Sequence, residues 1–359
     1  MEIKDKNLYY VGGFVRDEIL GVANFDIDYC YEGNAINFAQ NLNIIKTNKD
    51  FGTVRVLLDN QEIDIASTRT EVYNKNGHLP VIKEIGCELK EDLKRRDFTI
   101  NALAKNTLTK EIVDYFDGLE DIKNKKIRVL HNKSFLEDPS RIIRALKFSV
   151  RFNFELEENT YKLQKEYLEN INYDVSYHRL KKELKETFSL NKQEALDIFI
   201  EENIYKLLGP NQVKPNITCE VESLITKYKP NNIYMVYLGL FDLSKFELTT
   251  EELRIIKLYN EIKEKEPTNN YEIYNLFNKA PLESILLYAI TKDVNIAKKY
   301  LDNLYKIKIS ISGNDLKKLG IKQGKIYNEI FEFLLEQKVN NPSLTQDREL
   351  FLVKERFLK

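Results

Sequence analysis

Tryptophan is absent from this 359-residue chain, cysteine and histidine occur three times each, and the formal net charge is −1. The cysteines (Cys30, Cys87, Cys219) and the histidines (His78, His131, His178) stand far apart, with no CxxC pair and no His/Cys cluster. A structural zinc site, a disulfide framework or a His-Asp phosphohydrolase centre therefore has almost nothing to be built from. A chain so close to neutrality has no global field for nucleic acid, so an anionic partner has to be held by a local basic patch. No apolar run reaches the roughly 18 residues of a membrane span. The opening MEIKDKNLYYVGG lacks the basic and apolar regions of a signal peptide. A reducing cytoplasmic setting is the expectation.

The length exceeds one small core and predicts two or three domains. Residues 1 to about 105 read as mixed α/β. LYYV (8–11), FDIDYCY (25–31), TVRVLLD (53–59) and EIDIAST (62–68) are short β-branched or aromatic runs bounded by turn residues. The DNQ between the last two reads as a hairpin turn. GFVRDEILG and NAINFAQNL carry helical periodicity. The polar, Gly- and Pro-containing TEVYNKNGHLPVIKEIG reads as a mobile loop. From about residue 134 the pattern turns helical, with KPNNIY (229–234) and KEPTNN (265–270) as breaks between helices. No repeat of fixed period is present. The expected fold is α+β: an α/β head with a mixed sheet (1–125), followed by an all-helical neck (126–190), body (191–268) and tail (269–359).

Asp26 and Asp28 stand at i and i+2, so in a strand their carboxylates share one face, with Ile27 opposite. Side by side they repel unless a cation sits between them, and hard oxygen ligands suit Mg²⁺. Exposed acids at a strand end are the plainer alternative. Gly12 and Gly13, between a strand and a helix, let backbone N–H groups approach a phosphate at the helix N-terminus; a tight turn alone would also want glycine. Arg16, one turn into that helix, is a candidate cation for a polyphosphate. A phosphate cradle followed by metal-binding acids is what nucleotidyl transfer requires. Asp64, in EIDIAS, is a candidate third carboxylate.

GGFVRD with FDIDY, then RRDFTINALA, then EDPSRIIRALKFSVRFNF, covering residues 8 to about 185, resembles the class II CCA-adding enzyme and bacterial poly(A) polymerase family. The blocks occur in the family's order. ISGNDLKKLGIKQGKIYNEIFEFLL (311–335) is similar to the tail of CCA-adding members. The resemblance implies a polymerase-β-like head and addition of C, C and A to the 3′ end of tRNA from CTP and ATP. The chemistry would be two-metal nucleotidyl transfer with Mg²⁺, without a nucleic-acid template; A-only addition and poly(A) synthesis share that mechanism. It makes Arg95, Arg96 and Asp97 readers of the ribose, supported by Asn101. Asp138 and Arg141 become an amino-acid template for the base, with Glu137 orienting Arg141. Cytosine and adenine each show an amino donor beside a ring-nitrogen acceptor, which Asp and Arg match; uracil and guanine show the reverse.

On the helix carrying Arg141, helical periodicity sets Arg144, Lys147 and Arg151 on the side opposite Ile143, Leu146 and Val150. That basic stripe suits a triphosphate or an RNA backbone, or is a solvated face. The loop at 67–82 disfavours CC-only addition and is the expected switch from C to A. Two departures from the family stand out: His178 occupies a position usually held by Glu, and Gln323 precedes Gly324 where Pro is usual. No His-Asp hydrolase segment accompanies these blocks, so phosphatase activity is not expected.

Overall fold

The computed structural model describes residues 3–23 and 27–358. It contains two compact units, one formed by residues up to 212 together with 242–246, the other by 213–241 and 247 onward.

The first unit opens with β1 (Leu8–Val11), α1 (Gly13–Leu20), β2 (Tyr29–Tyr31), α2 (Ala35–Phe38), β3 (Asn43–Asn48), β4 (Thr53–Leu58) and β5 (Gln61–Ser67). After β6 (Arg69–Val72), β7 (Val81–Ile85) and α3 (Leu89–Lys94) come β8 (Leu103–Asn106) and β9 (Ile112–Asp114). Among the described residues one sheet has seven strands in the order β3-β4-β5-β2-β1-β8-β9. β2 and β5 run parallel while the neighbours around them run antiparallel, so the sheet is mixed, as the sequence predicts. Asp59 and Asn60 adopt left-handed φ values of 48° and 64°, the geometry of a two-residue hairpin turn between β4 and β5. Asp26, with Asn24 and Phe25, lies outside the described residues; the strand within FDIDYCY is Tyr29–Tyr31.

One segment differs from the sequence reading. Residues 70–86 do not form a structureless loop: β6 and β7 pair as an antiparallel ribbon with a register shift at Thr70/Glu71. Pro80 stands immediately before β7, where its missing N–H costs the ladder nothing, and the Gly and polar residues that obscured the strands are confined to the ribbon's tip.

The unit continues with α4 (Gly118–Lys123) and β10 (Lys126–Ile127), then α5 (Ser134–Glu137) and α6 (Ser140–Phe152). β11 (Glu155–Leu156) pairs with β10, and α7 (Glu158–Glu169), α8 (Tyr177–Phe188) and α9 (Gln193–Glu201) follow. α6 starts after Pro139, whose φ is set for a first turn, and stops at Asn153 in the left-handed conformation. Its Ile142 and Ile143 are fully buried, each contributing about 1.5–3 kcal/mol.

The second unit is helical: α10 (Val221–Tyr228), α11 (Ile233–Leu238), α12 (Thr250–Ile262), α13 (Asn270–Phe277), α14 (Leu282–Thr291) and α15 (Val294–Asp302), then α16 (Gly313–Lys318), α17 (Lys325–Asn340) and α18 (Gln346–Phe357). Leu316, Ile330, Leu334 and Val353 form the core of its last three helices. No helix among the described residues is long and apolar enough to cross a membrane.

Candidate active site

Two cavities of about 450 and 610 Å³ adjoin in the first unit and share Asp28, Arg95 and Arg96 in their walls. The larger is also lined by Gly12, Gly13, Arg16, Asp97, Asn101, Asp138, Arg141, Arg144 and Lys147. The fold thus gathers most of the residues singled out in the sequence around one space.

Gly12 ends β1 with a φ of +67°, and a Cβ there would lie 2.7 Å from Arg96 Nη1. Backbone angle and close approach both demand glycine. The Gly12 N–H itself donates to the Leu103 carbonyl at 3.2 Å, so donors for an anion at this turn come from Gly13 onward.

Asp28 precedes β2, and β2 runs parallel to β5 with Tyr29 opposite Ile65. One residue back in that register, Asp28 stands beside Asp64, and both line the smaller cavity. Arg55 forks onto Asp64 with two bonds of 2.7 Å, and both side chains are about half exposed. Among the described residues no group of three or more His, Cys, Asp or Glu is assembled for a metal. The neighbouring Asp28 and Asp64 carboxylates are hard oxygen donors, which fit a hard divalent cation.

Arg16 does not point to solvent. It lies between the rings of Phe148 and Phe152, 4.9 and 4.7 Å from their centroids, and donates to Asn101 Oδ1 at 2.5 Å and to Asp17 Oδ1 at 2.6 and 2.8 Å. Burial lowers its pKa, and Asp17 works against that shift. From Asn101 the chain of contacts continues: Asn101 Nδ2 donates to Asp97 Oδ1 at 2.9 Å, and Asp97 Oδ2 accepts from Arg144 Nε at 2.7 Å. Burial pushes the Asp97 carboxyl up, but Arg144 and the Asn101 hydrogen bond outweigh it and hold it below the usual range.

Arg144 also reaches Glu183 at 3.2 Å, and Lys147 pairs with Glu183 and Glu186 at 2.7 and 2.6 Å. Arg151 reaches Asp17 at 3.3 Å. The basic side of α6 is therefore not a bare solvated stripe; acids of α8 and α1 cover it, and Lys147 is buried.

Arg95 and Arg96 share a buried acid that the sequence reading did not single out. Asp92 accepts from Arg95 at 2.8 and 3.0 Å and from Arg96 at 3.3 Å. Burial opposes its charge, yet the two guanidinium groups lower its pKa. The signal was present as a helical i, i+3 and i+4 spacing of Asp92 to Arg95 and Arg96.

Asp138 follows α5 with an extended backbone. Its Oδ1 accepts from the Ser140 N–H at 3.1 Å and hydroxyl at 2.6 Å, and its Oδ2 takes Arg179. Arg141 donates to Ser134 Oγ at 2.7 Å, the Arg95 carbonyl at 3.2 Å and Tyr73 Oη at 3.4 Å. These three, and not Glu137, orient Arg141; the Glu137 carboxylate lies 3.4 Å from His131 Nε2. Tyr73, Arg179, Lys182 and Glu183 also line the larger cavity, and the sequence reading missed them as site residues. Its wall presents a buried acceptor, Asp138, beside a buried donor, Arg141, together with the glycine turn and Asp28.

Residues 8–128 match the Poly A polymerase head domain. The A-adding tRNA nucleotidyltransferase of Halalkalibacterium halodurans is 31% identical over 90% of this chain and 82% of its own length. The CCA-adding enzyme of Lactobacillus helveticus is 30% identical over 93% of this chain and 90% of its own. The A-adding tRNA nucleotidyltransferase of Geobacter sulfurreducens is 32% identical over 96% of this chain. The chain spans less than half the length of that relative and of its Aquifex aeolicus counterpart, 44% and 45%. Among solved structures, the Thermotoga maritima CCA-adding enzyme complexed with tRNA is similar at a TM-score of 0.76, with 27% identity over 97% of this chain and 90% of that one. CCA-adding enzyme structures in complex with ATP and with CTP give 0.74 in both cases, at 27% and 28% identity, over 98% and 97% of this chain and 91% and 89% of those. The chain belongs to the family of CCA-adding enzymes and A-adding tRNA nucleotidyltransferases.

Proposed function

We propose that this chain is a class II member that adds C, C and A to the 3′ end of tRNA from CTP and ATP, releasing pyrophosphate and using no nucleic-acid template. The observation that carries the reading is that Asp138 and Arg141 line the same cavity as Gly12, Gly13 and Asp28. A nucleotide laid along that cavity has its triphosphate at the glycine turn and its base against an acceptor beside a donor. Cytosine and adenine satisfy both groups. Uracil and guanine would oppose acceptor to acceptor and donor to donor, at about 1–3 kcal/mol for each group left unpaired.

Asp28 and Asp64, with Asp26, would hold Mg²⁺, which when bound supplies positive charge against the α-phosphate, the attacking hydroxyl and the departing pyrophosphate. Gly12 and Gly13 leave room for the phosphates, with Arg95 and Arg96 beside them. Asp97 accepts from the ribose 2′-OH. Asn101 orients Asp97, and Arg16 orients Asn101. Arg144, Lys147 and Arg151 meet the nucleotide and the RNA backbone as hydrogen-bond donors whose charge Asp97, Glu183, Glu186 and Asp17 already match, and Glu137 shapes the segment that carries Asp138. In this reading residues 1–125 are the catalytic head, 126–190 the base-reading neck, 191–268 a body, and 269–359 a tail that binds tRNA by shape and phosphate contacts.

A second reading is A-only addition, favoured by the A-adding relatives that match more than nine-tenths of this chain at 32% identity. The test is to offer CTP, ATP or both to tRNAs ending at the discriminator base, at C and at CC, and to read the product ends. Extension of all three ends to CCA supports full addition. Extension of the CC end alone supports the second reading, and extension of none refutes both.

A further inference from the structure

We propose that Arg55 is an internal competitor of the divalent cation for Asp64, and that Glu62 receives the guanidinium when the cation takes Asp64. The inference rests on the reading of Asp28 and Asp64 as metal ligands and names what governs their loading.

Lys46, Arg55, Asp64 and Asp28 form one row across the neighbouring β3, β4, β5 and β2. Lys46 is opposite Arg55, and Arg55 is opposite Asp64. Asp28, just before β2, falls beside Asp64 in the parallel register. All of them line the smaller cavity, on strands spaced about 4.8 Å apart. The cations thus stand on one side of the row and the acids on the other. Across a strand pair unlike charges attract and like charges repel, so Lys46 drives Arg55 toward Asp64.

The fork engages both oxygens of Asp64, Nε on Oδ1 and Nη2 on Oδ2, each at 2.7 Å. A metal ion approaching Asp64 therefore meets a positive group already seated there. Arg55 does not yield by losing its proton, because its hydrogen bonds to Asp64 raise its pKa further. It yields by changing acids. Glu62 stands two residues before Asp64, so its side chain shares that strand face, and it already accepts from Arg55 Nη1 at 3.2 Å. A guanidinium that turns from Asp64 onto Glu62 keeps one bond throughout and uncovers the metal ligand. Arg55 and Asp64 are about half exposed, and water screens such a pair, which leaves the fork weak enough for a divalent ion to open. Arg55 takes no part in the reaction itself; it sets how readily Asp64 accepts the cation.

The experiment measures Mn²⁺ binding to the full chain without nucleotide, from the loss of the free-ion EPR signal, with thermal unfolding in parallel to show that each variant is folded. Wild type is compared with D64N, R55A, R55K, E62Q and R55A/E62Q. D64N should weaken binding. R55A should tighten it about threefold and E62Q weaken it about twofold. R55K keeps the charge but not the planar fork, and should tighten binding in the direction of R55A. E62Q should have no effect once Arg55 is gone, since both act on one contact. An Arg55 that acted only through its charge would leave R55K binding as wild type does, and E62Q would weaken R55A as much as it weakens wild type; either result overturns the proposal. So does unchanged binding in D64N or R55A, or a wild type that takes up no Mn²⁺. Primer extension is read separately. An active wild type whose Mn²⁺ affinity is unchanged in R55A and R55K overturns this inference alone. A wild type that extends no primer but shows the expected order of affinities refutes the proposed function and supports the competition at Asp64.

Discussion

Arg144 of α6 closes on Asp97 with Nε and Nη2, both at 2.7 Å from Oδ2, joining residues 47 positions apart. Asp97 is buried and Arg144 about a third exposed. R144Q leaves a buried carboxylate without its cation and should cost about 1–3 kcal/mol. The Asp97 carboxyl is held below its ordinary value of 3.8. The pair's contribution is therefore complete above that value and is lost as pH falls through the lower folded one. Thermal unfolding followed from neutral pH into acid should show the wild-type advantage over R144Q shrinking at the acid end. An advantage constant across pH would refute the coupling.

Sugar choice should follow the same acid. D97A is expected to lower the ratio of kcat/KM for CTP over dCTP about tenfold, because it removes the proposed acceptor for the 2′-OH. R16A should lower the ratio less, since Arg16 acts on Asp97 only through Asn101. Single-nucleotide extension with CTP and dCTP reads both. A ratio unchanged in D97A removes Asp97 from ribose recognition.

G12A places a Cβ against Arg96 at a φ of +67°, a strain of about 1–3 kcal/mol. KM should rise for CTP and ATP alike if, as proposed, the glycine turn meets phosphates that both share. A rise confined to one nucleotide would mean that the turn reads the base.

D28N should reduce kcat about 10³-fold with either nucleotide, while nucleotide binding stays within a few-fold of wild type. D64N should also lower kcat, and R55A, which releases the fork from Asp64, should not. Rates come from primer extension at saturating nucleotide. A wild-type rate in D64N would remove Asp64 from the metal site.

Much of the fold is legible where short-range chemistry decides it. β1, β4 and β5 fall where β-branched and aromatic runs predict them, and the Asp59-Asn60 turn carries the left-handed angles its residues tolerate. The β6–β7 ribbon escaped because its strands are short and its tip is rich in Gly, Pro and polar residues; pairing across the tip, not local preference, makes it a sheet. The site divides in the same way. Asp138, Arg141, Asp97 and Gly12 belong to contiguous motifs and can be read from the chain. Arg179 with Asp138, or Lys147 with Glu183, joins positions 41 and 36 residues apart, and no spacing rule for a single element reaches that far. The orientation of Arg141 by Ser134, Tyr73 and the Arg95 carbonyl, in place of Glu137, is set by tertiary packing for the same reason.

The acids that cover the basic side of α6 bear on how the protein responds to salt. A cation that neutralises an RNA phosphate frees the counterions condensed there, and each such contact steepens the fall of affinity with ionic strength. Arg144, Lys147 and Arg151 are already matched by Asp97, Glu183, Glu186 and Asp17, so they have little neutralising charge left for an RNA backbone. If the chain binds tRNA as proposed, their share in the salt dependence is small, and a steep dependence would have to arise on other surfaces of the chain.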